Sequence, residues 1–209
     1  MAYKKGIIAI PNVTGDISFV VHTAVDSRIP AEYTEVEWIG AGENGDIYTH
    51  CINPNLTWQD FDKIEFIGFR DEYNGYAGSS GIMLLATWTG TNTRTSPYIA
   101  FRDPILFSGI SGTISTSYTK SQLRESGFKN FTITLTSHTA TGQVEFGSWT
   151  DAGFGSHWRT KEQKWYNGTN LVRHLIPCFR KSDNAAGMYD IVGNVFYANA
   201  GGGTLIYNS

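Results

Sequence analysis

Apolar and polar residues alternate one for one along much of this chain. In the stretch Tyr33 to Ile39, Val36 and Trp38 fall on one side and Glu35 and Glu37 on the other. The segment from Phe61 to Arg70 sets Ile64, Phe66 and Gly68 against Lys63, Glu65 and Ile67, and Phe128 to Ser137 alternates through Phe131, Ile133 and Leu135. Successive side chains of a strand point to opposite faces, so a period of two predicts half-buried strands. Shorter runs predict further strands over 46–52, 82–88, 97–102, 105–107, 113–119, 142–149, 171–179, 187–190 and 194–197. Gly, Asn and Asp fill the intervals, as turns require. Only Lys120 to Gly127 reads as a helical turn, and no helical period is sustained. The pattern predicts an all-β chain: two antiparallel sheets packed as a sandwich, or a barrel.

Two parts are expected. Residues 1–30 carry two short strands, Gly6 to Ile10 and Ile17 to Val25, then a linker from Ser27 to Pro30. That β-arm is too small to hold a core of its own, so it packs on the main domain, pairs with another chain or stays mobile; attachment or oligomerisation is its expected role. Residues 31–209 form the main domain.

Composition agrees. Apolar residues make up 41% of the chain and charged residues 17%, enough for a core and too little charge for disorder. Aromatics at 14% and 23 glycines suit pleated surfaces and tight turns. The net charge of −3 gives nucleic acid no basic face to bind. The apolar run 6–10 is too short for a signal peptide and no run approaches a membrane span, so synthesis in a cytoplasm without export or membrane insertion is expected. Cys51 and Cys178 match no zinc spacing, which leaves buried free thiols or one long-range bridge.

Candidate chemistry is sparse. Glycoside hydrolysis needs two carboxylates roughly 5–10 Å apart. Glu35 and Glu37 share a strand face, but neither they nor Glu145 complete the Glu-x-Asp-x-x-Glu pattern of laminarinase-type sandwiches, and a solvated strand face accounts for them. His22, His50, His138, His157 and His174 show no metal-ligand spacing, and His50 and Cys51, as strand neighbours, point to opposite faces. Calcium would find Asp and Asn oxygens at 71–74 and at Asp183–Asn184, although such clusters also make plain turns; no cofactor is indicated. The aromatics stand out. Trp58, Trp149, Trp158 and Trp165, with Tyr73 and Tyr76, lie in polar or Gly-rich surroundings, where rings either contact a sugar or partner or cover the sandwich edges.

The closing segment is distinctive. Leu171, Val172, Arg173, Ile176, Pro177, Cys178, Arg180, Lys181, Ser182, Asp183, Gly187, Tyr189, Asp190, Val192, Phe196, Tyr197, Asn199, Gly201 and Gly203 fall at fixed spacings. This segment resembles the end of concanavalin-like (laminin-G-like) jelly-roll modules in bacteriophage and prophage structural proteins. Tyr33 to Ile39 resembles that family's first strand, whereas the stretch Asp46 to Ile52 departs from it; between Asn53 and Tyr166 only the strand rhythm aligns. Ile8 to Ile17 resembles short β segments that precede such modules in tail and fibre proteins. The resemblance implies a concanavalin-like jelly roll on the virion surface, joined to other virion proteins through residues 1–30. It also implies a homo-oligomer, trimeric by analogy with phage fibres. Adhesion to host or environmental glycans is the expected activity, with no enzymatic step. The alternatives are a capsid decoration or head-fibre protein with a purely structural role, and a glycan-cleaving enzyme on the same fold. Because the signature reads as turns and packing residues, it specifies a fold more than a ligand.

Overall fold

The computed structural model describes residues 27–41, 51–70, 82–87, 95–101, 106–115, 127–137, 139–147 and 158–208. The two strands expected in the N-terminal arm and the helical turn expected near Lys120 lie outside the described residues. Within them the chain forms β1 (Tyr33–Glu35), β2 (Ile39–Gly40), β3 (Lys63–Arg70), β4 (Ile82–Thr87), β5 (Thr95–Phe101), β6 (Leu106–Ser108) and β7 (Ser111–Ser115). It continues with β8 (Lys129–Ser137), β9 (Val144–Phe146), β10 (Trp158–Asn167), β11 (Asn170–Arg180), β12 (Ala185–Asp190), β13 (Val195–Ala198) and β14 (Ile206–Tyr207).

All pairings among the described residues are antiparallel, and the described strands fall into two sheets. The larger has ten strands, with the path β13-β12-β11-β10-β3-β8-β7; the smaller runs β6-β5-β4-β9. The architecture is an all-β sandwich, as the alternation predicts. The alternating positions form its core: Ile64 and Phe66 on β3 and Phe131, Ile133 and Leu135 on β8 meet Leu85, Ile99, Val144 and Phe146 of the smaller sheet. Phe66 stacks on Phe131 at 4.9 Å and meets Phe146 edge-on at 5.5 Å, so one run of rings joins the sheets. Removing each such side chain from water contributes about 1.5–3 kcal/mol.

The stretch 33–39 is not one strand. β10 and β11 pair through 163–167 and 170–175 and then diverge. The chain fills the fork between them: β1 pairs with β11 (Tyr33 with Arg180) and β2 pairs with β10 (Ile39 with Thr160). The step between partners falls at 36–38, where the Val36 amide donates to the Pro177 carbonyl at 3.0 Å. Val36 still points inward, as the alternation predicts, but Trp38 is only half-buried, with the Arg159 guanidinium 4.3 Å from its ring centroid.

A second, smaller core lies on another face of β11 and β12. It contains Ile29, Ile176, Cys178 and Tyr189, with Tyr33 and Phe196 packed against it. Ile29 comes from the stretch that reads as a linker in the sequence, yet it is only 4% exposed.

Candidate functional site

Three of the six candidate contact aromatics belong to the core. Trp58 sits in a turn that Asp60 fastens by accepting from the Thr57 amide and hydroxyl at 2.6 and 2.7 Å. The turn aims the indole inward, where its N–H donates to Thr87 Oγ1 at 2.9 Å. Trp158 and Trp165 lie on β10, a strand with no counterpart in the sequence-based assignment. Charged Arg159, Lys161, Glu162 and Lys164 make this segment look like a polar loop, but they occupy its outward face. Trp158, Thr160, Gln163 and Trp165 point inward, with a bulge between Thr160 and Gln163. The inward polar groups are satisfied in series: Trp165 Nε1 donates to Gln163 Oε1 at 3.1 Å, Gln163 Nε2 to Thr160 Oγ1 at 3.2 Å, and Thr160 Oγ1 to the Ile67 carbonyl at 3.2 Å. Trp158 meets Phe146 edge-on, and Gly147, at φ +86°, leaves room for its ring: a Cβ there would lie 2.3 Å from the indole. Burial removes Trp58, Trp158 and Trp165 as stacking platforms, a correction to the sequence-based reading. Tyr73, Tyr76 and Trp149 lie outside the described residues.

The outward face of β10 and its neighbours carries a cluster of ion pairs. Glu162 stands at its centre. Arg28 Nη1 donates to Glu162 Oε2 at 2.8 Å, Lys164 Nζ lies 3.1 Å from Oε1, and His174 Nε2 lies 2.6 Å from Oε1. Burial pushes the Glu162 carboxyl up, but the hydrogen bonds from Arg28, His174 and Lys164 outweigh it and hold the group down at about 2. The same Arg28 guanidinium pairs with Glu35. Glu37 pairs with Lys161 and accepts from Asn208, and both bonds keep its carboxyl below the usual range. Glu65 is lowered by Lys63, against the opposing effect of burial. Glu35 and Glu37, the carboxylates that a glycosidase reading would need, are therefore engaged in separate ion pairs. A general acid needs a raised carboxyl; Glu37, Glu65 and Glu162 are held the other way by ion pairs, within a strand for Glu65 with Lys63 and between segments for Glu37 with Lys161 and Glu162 with Arg28.

The closing signature resolves into structural roles. Asp190 ends β12 and is fully buried. Its Oδ1 accepts from the His174 amide at 2.9 Å and the Val192 amide at 3.0 Å, fixing the turn that follows; its Oδ2 faces Arg173 Nε at 3.4 Å. Arg173 also donates to the carbonyls of Pro54 and Val172, tying β11 to the 54–55 turn. At Gly187, a Cβ would meet the Tyr197 carbonyl at 2.3 Å, so only glycine lets β13 approach β12 this closely. Arg180 and Asp183 clamp the β11–β12 turn, with Asn184 at φ 57°. Asn199 donates to the Gly202 carbonyl and accepts from the Cys51 amide, fastening the glycine loop to the start of residues 51–57. Asp183 is thus spoken for by Arg180 and the Ala185 amide, in the manner of a turn.

Cys51 and Cys178 are free and buried. Burial, reinforced by Glu145, pushes the Cys51 thiol well up, and burial pushes Cys178 to about 12. Among the described residues, no group of three or more His, Cys, Asp or Glu is placed to hold a metal ion, and no helix is long and apolar enough to cross a membrane. Of the histidines only His174 is described. The sequence-based reading missed the Glu162 cluster because it missed β10. The period-two placing of Trp158, Thr160, Gln163 and Trp165 on either side of one bulge was the available signal. Comparison with known proteins finds no matching family model, no matching curated protein and no matching solved structure.

Proposed function

We propose that this chain is a bacteriophage virion structural protein whose concanavalin-like jelly-roll module is displayed on the particle and works by adhesion to glycans. The observation that carries this reading is the resemblance of residues 171–203 to the closing segment of such modules. Its support in the geometry is that Arg173, Gly187, Asp190 and Asn199 each hold a turn or a strand contact, which is what a fold signature requires. In this reading residues 1–30 join the module to other virion proteins, and the assembly is a homo-oligomer, trimeric by analogy. Because Trp58, Trp158 and Trp165 are core residues, glycan contact falls to Tyr73, Tyr76 and Trp149.

The same burial favours a second reading, in which the module is a capsid decoration or head-fibre protein with a purely structural role. Antibody labelling of purified particles by electron microscopy tests both: signal on the virion is expected, and unlabelled particles would refute the virion assignment. A glycan array then divides them. Binding that is lost in the Tyr73→Ala, Tyr76→Ala or Trp149→Ala variants supports adhesion, no binding supports the structural role, and release of sugar would refute both in favour of a glycosidase.

A further inference from the structure

Residues 28–32 are bound to the sandwich by three kinds of contact. The Ile29 side chain enters the second core beside Ile176, Cys178 and Tyr189. Arg28 bridges Glu35 and Glu162, so its guanidinium ties this segment to β10. Lys181 closes the far end: its ammonium donates to the Ala31 carbonyl and its amide to the Glu32 carbonyl, at 3.0 Å for the latter. The turn between is closed by the Tyr33 amide donating to the Pro30 carbonyl at 3.0 Å.

We propose that residues 28–32 form a clasp, an apolar plug at Ile29 backed by an ionic hook at Arg28, that opens as a unit apart from the main core and governs access to the second core. The clasp holds the point at which residues 1–26 join the sandwich. Its opening uncovers the surface of β11 and β12 while the core between the two sheets stays closed. The two halves differ in character. The hook joins partly exposed groups, with Arg28 44% exposed, and weakens with salt. The plug is apolar and does not.

Cys178 reports the state of the clasp directly, because it lies in the cluster that Ile29 completes. Cys51 belongs to no part of that cluster and is equally buried, so it reports the rest of the molecule. The test is alkylation of the full chain by iodoacetamide under native conditions, with each cysteine followed separately by mass spectrometry. In Ile29→Ala, Cys178 should react at least about 10-fold faster than in the wild type, from the cost of truncating a buried isoleucine, with Cys51 unchanged. In Arg28→Ala, Cys178 should react about 2- to 10-fold faster at low salt, and that difference should shrink at about 1 M salt. If both cysteines accelerate together, the segment opens only with the whole fold and the clasp is refuted. If Cys178 accelerates in neither variant, the segment covers nothing and the proposal fails. A difference for Arg28→Ala that survives high salt undiminished would overturn the ionic hook.

Discussion

Asp190 offers the sharpest test of how the closing signature holds the fold. Replacing it with alanine removes the acceptor for the His174 and Val192 amides and the counter-charge of Arg173 in one step. Each hydrogen bond to a charged acceptor contributes about 1.5–3 kcal/mol. The Arg173 contact adds about 1 kcal/mol or less, because its partly exposed guanidinium faces the buried Oδ2 at 3.4 Å without hydrogen-bonding to it. These terms overlap, because the same carboxylate makes all three contacts, so the expected loss is about 3–5 kcal/mol and not their sum. Asp190→Asn keeps the Oδ1 acceptor but sets an amide against Arg173 Nε, and it should cost less than the alanine change. Urea unfolding followed by tryptophan fluorescence measures both, since Trp58, Trp158 and Trp165 are buried and shift to the red on unfolding. Adding Arg173→Leu completes a double-mutant cycle, in which groups in contact couple by about 0.5–3 kcal/mol. A loss below about 1 kcal/mol for Asp190→Ala would refute the account, since removing a buried acceptor strands the His174 and Val192 amides; a coupling indistinguishable from zero would refute the contribution of Arg173.

Other outcomes follow from the same geometry. Gly187→Ala would drive a Cβ to within 2.3 Å of the Tyr197 carbonyl and should destabilise by at least about 1–3 kcal/mol, read from the urea midpoint. Trp165→Ala should cost about 3–5 kcal/mol, because it empties a fully buried site and strands the Gln163 acceptor; Trp165→Phe should cost less. The Glu162 carboxyl, held at about 2 in the fold, lies below its ordinary value of 4.5, so its ion pairs add stability that is fully present above pH 4.5 and lost as pH falls through about 2. Urea midpoints of wild type and Glu162→Gln should therefore differ near neutrality and converge at the acid end.

The sequence made much of this fold legible, and the exceptions have physical causes. β8 is readable because one of its faces is solvated: Phe131, Ile133 and Leu135 alternate with polar residues without interruption. β10 is hidden because Arg159, Lys161, Glu162 and Lys164 charge its outward face and because the bulge between Thr160 and Gln163 places Lys161 and Glu162 side by side on that face, breaking the period of two. A strand that changes partners is equally hard to see, since nothing in Tyr33 to Ile39 marks the step from β11 to β10. The candidate aromatics went the same way. Local polarity suggested surface for Trp58, Trp158 and Trp165, yet their N–H or ring environment is met inside the fold, by Thr87, Gln163 and Phe146. The Glu162 cluster draws Arg28, Glu35, Glu162 and His174 from distant parts of the chain, and no local pattern announces such a meeting.

The filled fork also orders events during synthesis. Residues 33–40 emerge long before their partners, which lie far downstream in β10 and β11. Until Arg159 to Arg180 has left the ribosome and formed its hairpin, the early segment has no strands to sit between. Pairing of such high sequence separation is slow, and it leaves unpaired edges open in the meantime. The nascent chain therefore carries Ile39 and its neighbours without these partners until β10 and β11 have followed, and the fork fills only after the hairpin supplies the slot.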